Sequence, residues 1–399
     1  MRRISVFGAT GSVGESTFDL IRRAGGAQTY HTVALTGGHN IARLAEMARE
    51  LRAEIAITAH EAHLPDLRAL LAGSGIEAAA GAEAIAEAAA RPADWVMSAI
   101  VGAAGLVPGL CALRQGTTLA LANKESLVTA GPLMMQTAEL HGARILPVDS
   151  EHSAIFQSLM AEDMTRVDRI ILTASGGALR DWPLEALQNA TVKDALNHPN
   201  WSMGPRITID SASMFNKAME VIEARELFGV RPDQIEVIIH PESIIHSMVG
   251  FCDGGIIAHM GVPDMRHPIG FALNWPERAP LPVARLDLAK LARMSFAEPD
   301  MARYPALRLA REAMAARGLA GAAFNAAKEI ALDCFIGGTL GFAQMSDLVE
   351  ASLAAVCTEF GPSDAVSGLD DVLAMDELTR GRSRDLAAKM AGNPVGAGL

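Results

Sequence analysis

The stretch that most limits what this chain can fold into is Gly8-Ala9-Thr10-Gly11-Ser12-Val13-Gly14, which follows the apolar run ending at Phe7 and opens a helical pattern. Three glycines in a GxxGxxG spacing, between a strand and a helix, form a close relative of the dinucleotide fingerprint. Backbone without Cβ atoms lets a pyrophosphate approach the positive end of the helix. A plain Gly-rich turn could carry the same letters, but here strand, spacing and helix agree. The nucleotide reading requires a parallel sheet with its ligand beyond the carboxyl ends of the strands.

The rest of the first 150 residues fits that requirement. Strands are expected at 3–7, 31–35, 55–58, 95–98, 117–121 and 144–148, with helical stretches between them, including the Ala/Glu-rich 82–90. Such alternation implies βαβ units. From about residue 151 the texture changes. Helical pieces (152–160, 214–227) mix with β-rich runs at 169–173, 235–239, 247–249 and 255–259, which implies α+β. Pro276, Pro280 and Pro282 punctuate a crossing segment, and helices are expected at 305–317, 322–336 and 345–360. A chain of 399 residues is too long for one core. The expected fold is therefore α/β in its N-terminal part. It comprises a Rossmann-like domain with a parallel sheet (1–150), a central α+β catalytic domain (151–275), a linker (276–301) and a C-terminal helical domain (302–399).

A net charge of -12 argues against nucleic acid or an anionic membrane as the main partner. Cys111, Cys252, Cys334 and Cys357 stand far apart with no CxxC pair, which fits a reducing cytosol rather than a disulfide framework or zinc site. The most membrane-like stretch, 99–113, is short and contains Pro108. Met1-Arg2-Arg3 precedes an apolar run too brief for a secretory signal. A soluble, cytoplasmic protein is expected.

Several polar groupings suggest chemistry. The second strand ends in Gly37-Gly38-His39-Asn40 without the acid that would hold a ribose 2′-hydroxyl, and His39 and Arg43 suit a 2′-phosphate, hence NADP. Asn123, Lys124 and Glu125 close the fifth strand, where ligands of such sheets bind. Asp149 and Glu151 flank Ser150 and share one side of an extended chain, as a helix cap or a metal site would. Further on, Asn216, Lys217 and Glu220 share a helix face after Ser211. Ser, Asn and Lys make a phosphate cradle. Glu220 either pairs with Lys217 at the surface or supplies a third carboxylate for Mg²⁺ or Mn²⁺. Residues 240–248, HPESIIHSM, are not an HExxH motif and read as buried structure.

With GATGSVG, ALANKESLV, VDSEHSAIFQ, LTASGGALR, HPNWSMG and DSASMFNKAMEVIEA in this order, the chain resembles the 1-deoxy-D-xylulose 5-phosphate reductoisomerase family over nearly its whole length. The resemblance implies a homodimeric enzyme of the non-mevalonate isoprenoid pathway. It would use NADPH and a divalent metal (Mg²⁺ or Mn²⁺, with Co²⁺ as a further candidate) on a small phosphorylated sugar. Asp149, Glu151 and Glu220 would hold the metal. Lys124 and Ser150 would meet the hydroxy-ketone end of the substrate, and Ser175, Ser211, Asn216 and Lys217 its phosphate. His198 and Trp201 would lie on a mobile loop, about 175–204, that closes over the site. Thr10, Gly11, Ser12, Val13, Gly38, His39, Asn40, Asn123, Glu125 and Gly204 would contact NADPH. The family's chemistry breaks C3–C4 in retro-aldol fashion, rejoins the fragments as a branched aldehyde and reduces it. Two positions depart from the family pattern: Ala9 replaces Ser, and His39 stands where Lys or Arg is usual. The rival GATGxVG enzyme, a semialdehyde dehydrogenase, needs an activated thiolate. Neither Cys111 nor Cys252 has a base nearby in sequence. A non-enzymatic NADP sensor would leave Asp149, Glu151 and Glu220 unexplained.

Overall fold

The structure is a computed structural model that describes residues 1–201, 203–360 and 368–392. Ser202 of the HPNWSMG motif, the Cys357 side chain, and residues 361–367 and 393–399 of the expected helical domain lie outside the described residues. By internal packing the chain forms two units.

The first unit comprises Met1–Ser126, Met134–Phe156 and Asp264–Arg285. Its sheet contains β1 (Arg2–Phe7), β2 (Tyr30–Gly37), β3 (Ile55–Thr58), β4 (Glu77–Ala80), β5 (Trp95–Ser98), β6 (Thr118–Leu121) and β7 (Arg144–Pro147). The strands lie in the order β4-β3-β2-β1-β5-β6-β7, all parallel. The order reverses at β1, with β2 on one side and β5 on the other, so the crevice beyond its carboxyl end is where a nucleotide belongs. The expected strands form within a few residues of their bounds. β4 is additional, because Glu77-Ala78-Ala79-Ala80 consists of helix formers with no β-branched residue. It becomes a strand by pairing along the edge of β3.

Packing divides the chain differently from the linear boundaries at 150, 275 and 301. The helix Arg266–Asn274 buries Ile269, Ala272 and Leu273 in the core with Trp95 and Leu146 of the Rossmann-like sheet. The Trp95 indole donates to the Ala272 carbonyl at 3.0 Å, which satisfies a polar atom in an otherwise apolar core. The apolar face of the sheet recruits this helix from far along the chain.

The second unit comprises Leu127–Leu133, Gln157–Pro263 and Leu286–Leu399. Its sheet contains β8 (Val167–Ala174), β9 (Ile235–Ile239), β10 (Ile245–Phe251) and β11 (Ile256–Met260) in the order β11-β10-β8-β9. β8 and β9 are parallel and the other pairs antiparallel, as α+β texture implied. The helix Phe215–Phe228 is tied to its neighbours by Arg225, which donates to the Met314 carbonyl at 3.0 Å, and by the Phe215–Phe324 ring contact. Helices Pro305–Ala316, Ala320–Ile336, Gln344–Phe360 and Leu369–Gly392 form the expected C-terminal helical region. Small buried residues such as Ala322, Ala326 and Ala327 let Ala320–Ile336 pack closely with its neighbours. Among the described residues no helix is long and apolar enough to cross a membrane.

Candidate active site

At the carboxyl end of β1, Gly8 has φ +86°, and a Cβ there would stand 2.4 Å from the Ala99 carbonyl oxygen. A Cβ on Gly14 would stand 2.2 Å from the Gly8 oxygen, so this glycine fixes helix against strand. Gly11 is different: its Cβ would meet nothing nearer than 3.4 Å. Gly11 begins the helix Ser12–Arg23 without a side-chain cap, leaving Ser12 and Val13 amides for an anion, with Thr10 beside them.

Beyond β2, Gly38 precedes His39, whose ring stacks on His60 with centroids 4.0 Å apart. Asn40 caps the next helix by accepting from the Arg43 amide at 3.2 Å. The Arg43 guanidinium donates to both Glu15 oxygens at 2.8 Å, pairs with Glu46 at 2.8 Å and lies over the Phe18 ring. The Glu15 hydrogen bonds above all hold it charged, above its ordinary range. Asn123 is buried; its amide donates to Ile100 O (2.6 Å), Gly102 O (2.9 Å) and Glu125 (2.9 Å), and its oxygen caps Ser126. That side chain shapes the loop after β5. Gly204 caps the helix Pro205–Ala212 in the second unit.

Because β6 and β7 are neighbours in register, the residues that follow them meet. Lys124, the first residue of its helix, forms a buried ion pair with Asp149, and the Ser150 hydroxyl donates to Glu151. Burial raises the Asp149 carboxyl, but the Lys124 and His152 charges, with hydrogen bonds from this cluster, outweigh it and hold the group well below the usual carboxylate range. Asp149 also starts the helix Ser150–Ser158, its carbonyl accepting from Ser153 N at 2.9 Å. Capping and a charged cluster coexist there.

In the second unit, Glu220 is fully buried. Asn216 donates to one of its oxygens at 2.6 Å and Lys217 to the other. The alternative of an exposed Lys217–Glu220 pair is corrected: the pair exists, but inside the protein. Ser175 follows β8 at a turn made by Gly176 and Gly177, both with positive φ. A Cβ on Gly177 would stand 2.6 Å from the Ser211 carbonyl oxygen, so the Ser175 turn presses directly on the backbone at Ser211.

His198 accepts at Nδ1 from the Asn200 and Trp201 amides (3.1 and 3.0 Å), so its proton sits on Nε2, 3.0 Å from the Ser175 hydroxyl. Burial first, then the Arg180 cation, hold His198 below its ordinary value. The unfolded chain takes up this proton near about pH 6.5, while the folded segment resists it. The stabilising contribution is therefore full above that pH and declines as pH falls below it. We expect the Asn200 and Trp201 amides to exchange faster below about pH 6.5, after correction for intrinsic rates. Protection that stays constant from about pH 7.5 to 5 would remove His198 from this role.

The sequence did not single out several contributors. The HPESIIHSM segment is partly structural: His240 is buried, its Nε2 accepting from Ile244 N and Ile245 N at 3.1 Å and its Nδ1 donating to Ser295 O at 3.0 Å. Its other histidine, His246, faces Trp201 with ring centroids 6.2 Å apart, and Asn200 donates to Ser243 at 3.0 Å. Tyr304 donates to Gly176 O at 3.0 Å and Arg180 to Ser175 O at 2.7 Å, fixing the Ser175 turn. No local signal marks these residues, since their partners are remote or in a loop. The expected loop 175–204 has structure of its own, including Val192–Ala195 with a Thr191–Asp194 capping box. Cys111 is half-buried in a helix and Cys252 is exposed in a turn.

Three family models match, described as 1-deoxy-D-xylulose 5-phosphate reductoisomerase (residues 4–131), its C-terminal domain (145–228) and DXP reductoisomerase C-terminal domain (260–382). The protein of that name from Cereibacter sphaeroides is 66% identical over 388 residues, 97% of this chain and 98% of the relative. The one from Paracoccus denitrificans is 64% identical over 380 residues, 95% and 97% of the two chains. The structure of the Zymomonas mobilis reductoisomerase with NADPH is 45% identical, covers 97% of this chain and 99% of the other, and has a TM-score of 0.90. A DOX-P reductoisomerase structure with NADPH, fosmidomycin and magnesium is 39% identical, covers 98% and 100%, and has a TM-score of 0.93. With family models, sequence identity and fold in agreement over nearly its full length, this chain belongs to the 1-deoxy-D-xylulose 5-phosphate reductoisomerase family.

Proposed function

We infer that this protein performs the reaction its family is named for. It is an NADP-dependent oxidoreductase that rearranges and reduces 1-deoxy-D-xylulose 5-phosphate to 2-C-methyl-D-erythritol 4-phosphate, using NADPH and Mg²⁺ or Mn²⁺. The observation that carries this reading is 66% identity along essentially the whole chain. The relative bound to NADPH, fosmidomycin and magnesium supports the same cofactors.

Asp149, Glu151 and Glu220 are hard oxygen donors, and Asp149 stays ionised, so the donor set suits a divalent cation of this kind. Such a cation, when bound, polarises a carbonyl oxygen as a Lewis acid. The chain's own groups bind and orient. Lys124 and Ser150 take the hydroxy-ketone end. Ser175, Ser211, Asn216 and Lys217 take the phosphate, with neutral His198 holding the Ser175 hydroxyl through Nε2. Trp201, on the segment 198–204, covers the substrate and excludes water. The Gly8–Gly14 turn and its helix start receive the pyrophosphate.

The test is NADPH oxidation with purified protein, deoxyxylulose phosphate and Mg²⁺, the product identified by mass and NMR. Turnover that needs no metal, or that occurs with a semialdehyde instead, would end this reading.

We further place the protein in the cytoplasm as a homodimer, for which β11 offers support. It is the edge strand of its sheet, with Ile256 and Ile257 half exposed. An exposed apolar edge invites pairing with another strand. Ile257→Lys should convert the dimer to a monomer in sedimentation; an already monomeric wild type would remove the dimer.

A further inference from the structure

His39, which follows β2, is part of a larger grouping. Three imidazoles converge beyond the carboxyl ends of β2 and β3. The His39 and His60 rings stack at 4.0 Å with planes 21° apart. His63 stands edge-on to both, its Nε2 3.4 Å from His39 Nδ1. The loops that carry them are pinned together: Ala59 N donates to Gly37 O at 2.8 Å, and the Thr58 hydroxyl donates to Gly38 O at 2.9 Å. All three residues reach solvent: His39 and His60 are exposed and His63 is half-buried.

In a sheet of this order, the end of β2 is where the adenosine ribose of a dinucleotide is read. A 2′-phosphate arriving there needs cations. Neither loop, 37–40 or 59–63, contains Lys or Arg. The neighbouring Arg43 has its guanidinium held by two carboxylates, Glu15 and Glu46, so that group of three is net negative. Glu61 turns toward Gly81, where a Cβ would lie 3.3 Å from its oxygen, and Asp66 lies in the first turn of the following helix. The imidazoles are the groups left to meet the dianion.

We propose that His39, His60 and His63 together form the seat of the NADPH 2′-phosphate, making His60 and His63 specificity-determining residues and the preference for NADPH dependent on pH. The proposal deepens the nucleotide reading given under Proposed function and rests on it. Phosphate lying against the imidazoles favours their protonated forms, so binding takes up protons. The sign separates this receptor from a permanent cation. A phosphate monoester loses its second proton near about pH 6, so binding to a fixed Arg charge strengthens or levels off as pH rises. Binding to imidazolium weakens, because histidine ordinarily deprotonates near about pH 6.5.

The experiment is calorimetry with 2′,5′-ADP and 5′-AMP, which need neither metal nor substrate. It is run from about pH 6 to 8 on wild type, His60→Gln, His63→Gln and Arg43→Gln, in buffers of different ionisation heat. In wild type the ratio of 2′,5′-ADP to 5′-AMP affinity should fall at least about tenfold across that range, the scale of one charge-assisted hydrogen bond, with net proton uptake on binding 2′,5′-ADP. His60→Gln and His63→Gln should each lower the ratio at pH 6 and flatten its pH dependence. A ratio that is constant or rises with pH, survives both histidine substitutions and collapses in Arg43→Gln would overturn the proposal in favour of Arg43. Wild type that binds neither nucleotide would instead refute the nucleotide site itself, and this proposal with it.

Discussion

If Glu220 holds the metal as proposed, Glu220→Gln should lower turnover by more than about a hundredfold and leave NADPH affinity nearly unchanged. Losing a partner that merely orients a metal ligand costs about 10–100-fold, so losing a ligand should exceed that. The substitution also leaves the buried Lys217 ammonium facing an amide instead of a carboxylate. Breaking a buried pair in this way costs about 3–5 kcal/mol, so the single variant is also less stable. Glu220→Gln combined with Lys217→Met should recover much of the stability and none of the activity. Thermal unfolding and single-turnover kinetics on both variants separate the two effects. Near-normal turnover of Glu220→Gln at saturating Mg²⁺ would eliminate Glu220 as a metal ligand.

The glycines of the first turn should part company under substitution. Gly14→Ala places a methyl 2.2 Å from the Gly8 carbonyl oxygen and 2.3 Å from that of Ala9, both backbone atoms that cannot step aside. Strand and helix must separate, at a cost of about 3 kcal/mol or more, the upper end for overpacking. Gly11→Ala meets only an ordinary contact at 3.4 Å and should unfold like wild type. If the pyrophosphate docks at this helix start as proposed, the methyl stands in its way, and NADPH binding should fall by about tenfold or more, the worth of one lost charge-assisted hydrogen bond. Chemical denaturation and cofactor titration of both variants test the distinction. Equal loss of stability in the two would show that Gly11 too is a packing residue.

Local patterns reported what local physics decides. Trp95–Ser98 and Ile55–Thr58 are strands in the sequence and in the fold, because apolar and β-branched residues bounded by breakers can do little else. Glu77–Ala80 escaped because edge pairing overrides helix propensity, which no window of sequence displays. The motifs pointed to Lys124, Asp149, Ser150, Glu151, Asn216, Lys217 and Glu220, and within each unit these side chains meet as pairs. The motifs were silent on what each side chain is already bonded to. Asn123 reads as a ligand contact but spends its amide on Ile100 and Gly102. Arg43 reads as an available charge but is held by Glu15 and Glu46. His60 and His63 lie about twenty residues from His39, and only the neighbouring positions of β2 and β3 bring them to it.

The helix Arg266–Asn274 has a consequence for how the chain is made. A ribosome releases the seven strands of the Rossmann-like sheet by residue 147, yet the side chains that cover Trp95 and Leu146 arrive only with Ile269, Ala272 and Leu273. At about 5–20 residues per second, the nascent sheet waits several seconds or longer with that face uncovered. The interval is an opening for chaperones and for aggregation. A fragment that stops at residue 150 would remain in that state permanently, and should be recovered from cells mainly as insoluble protein.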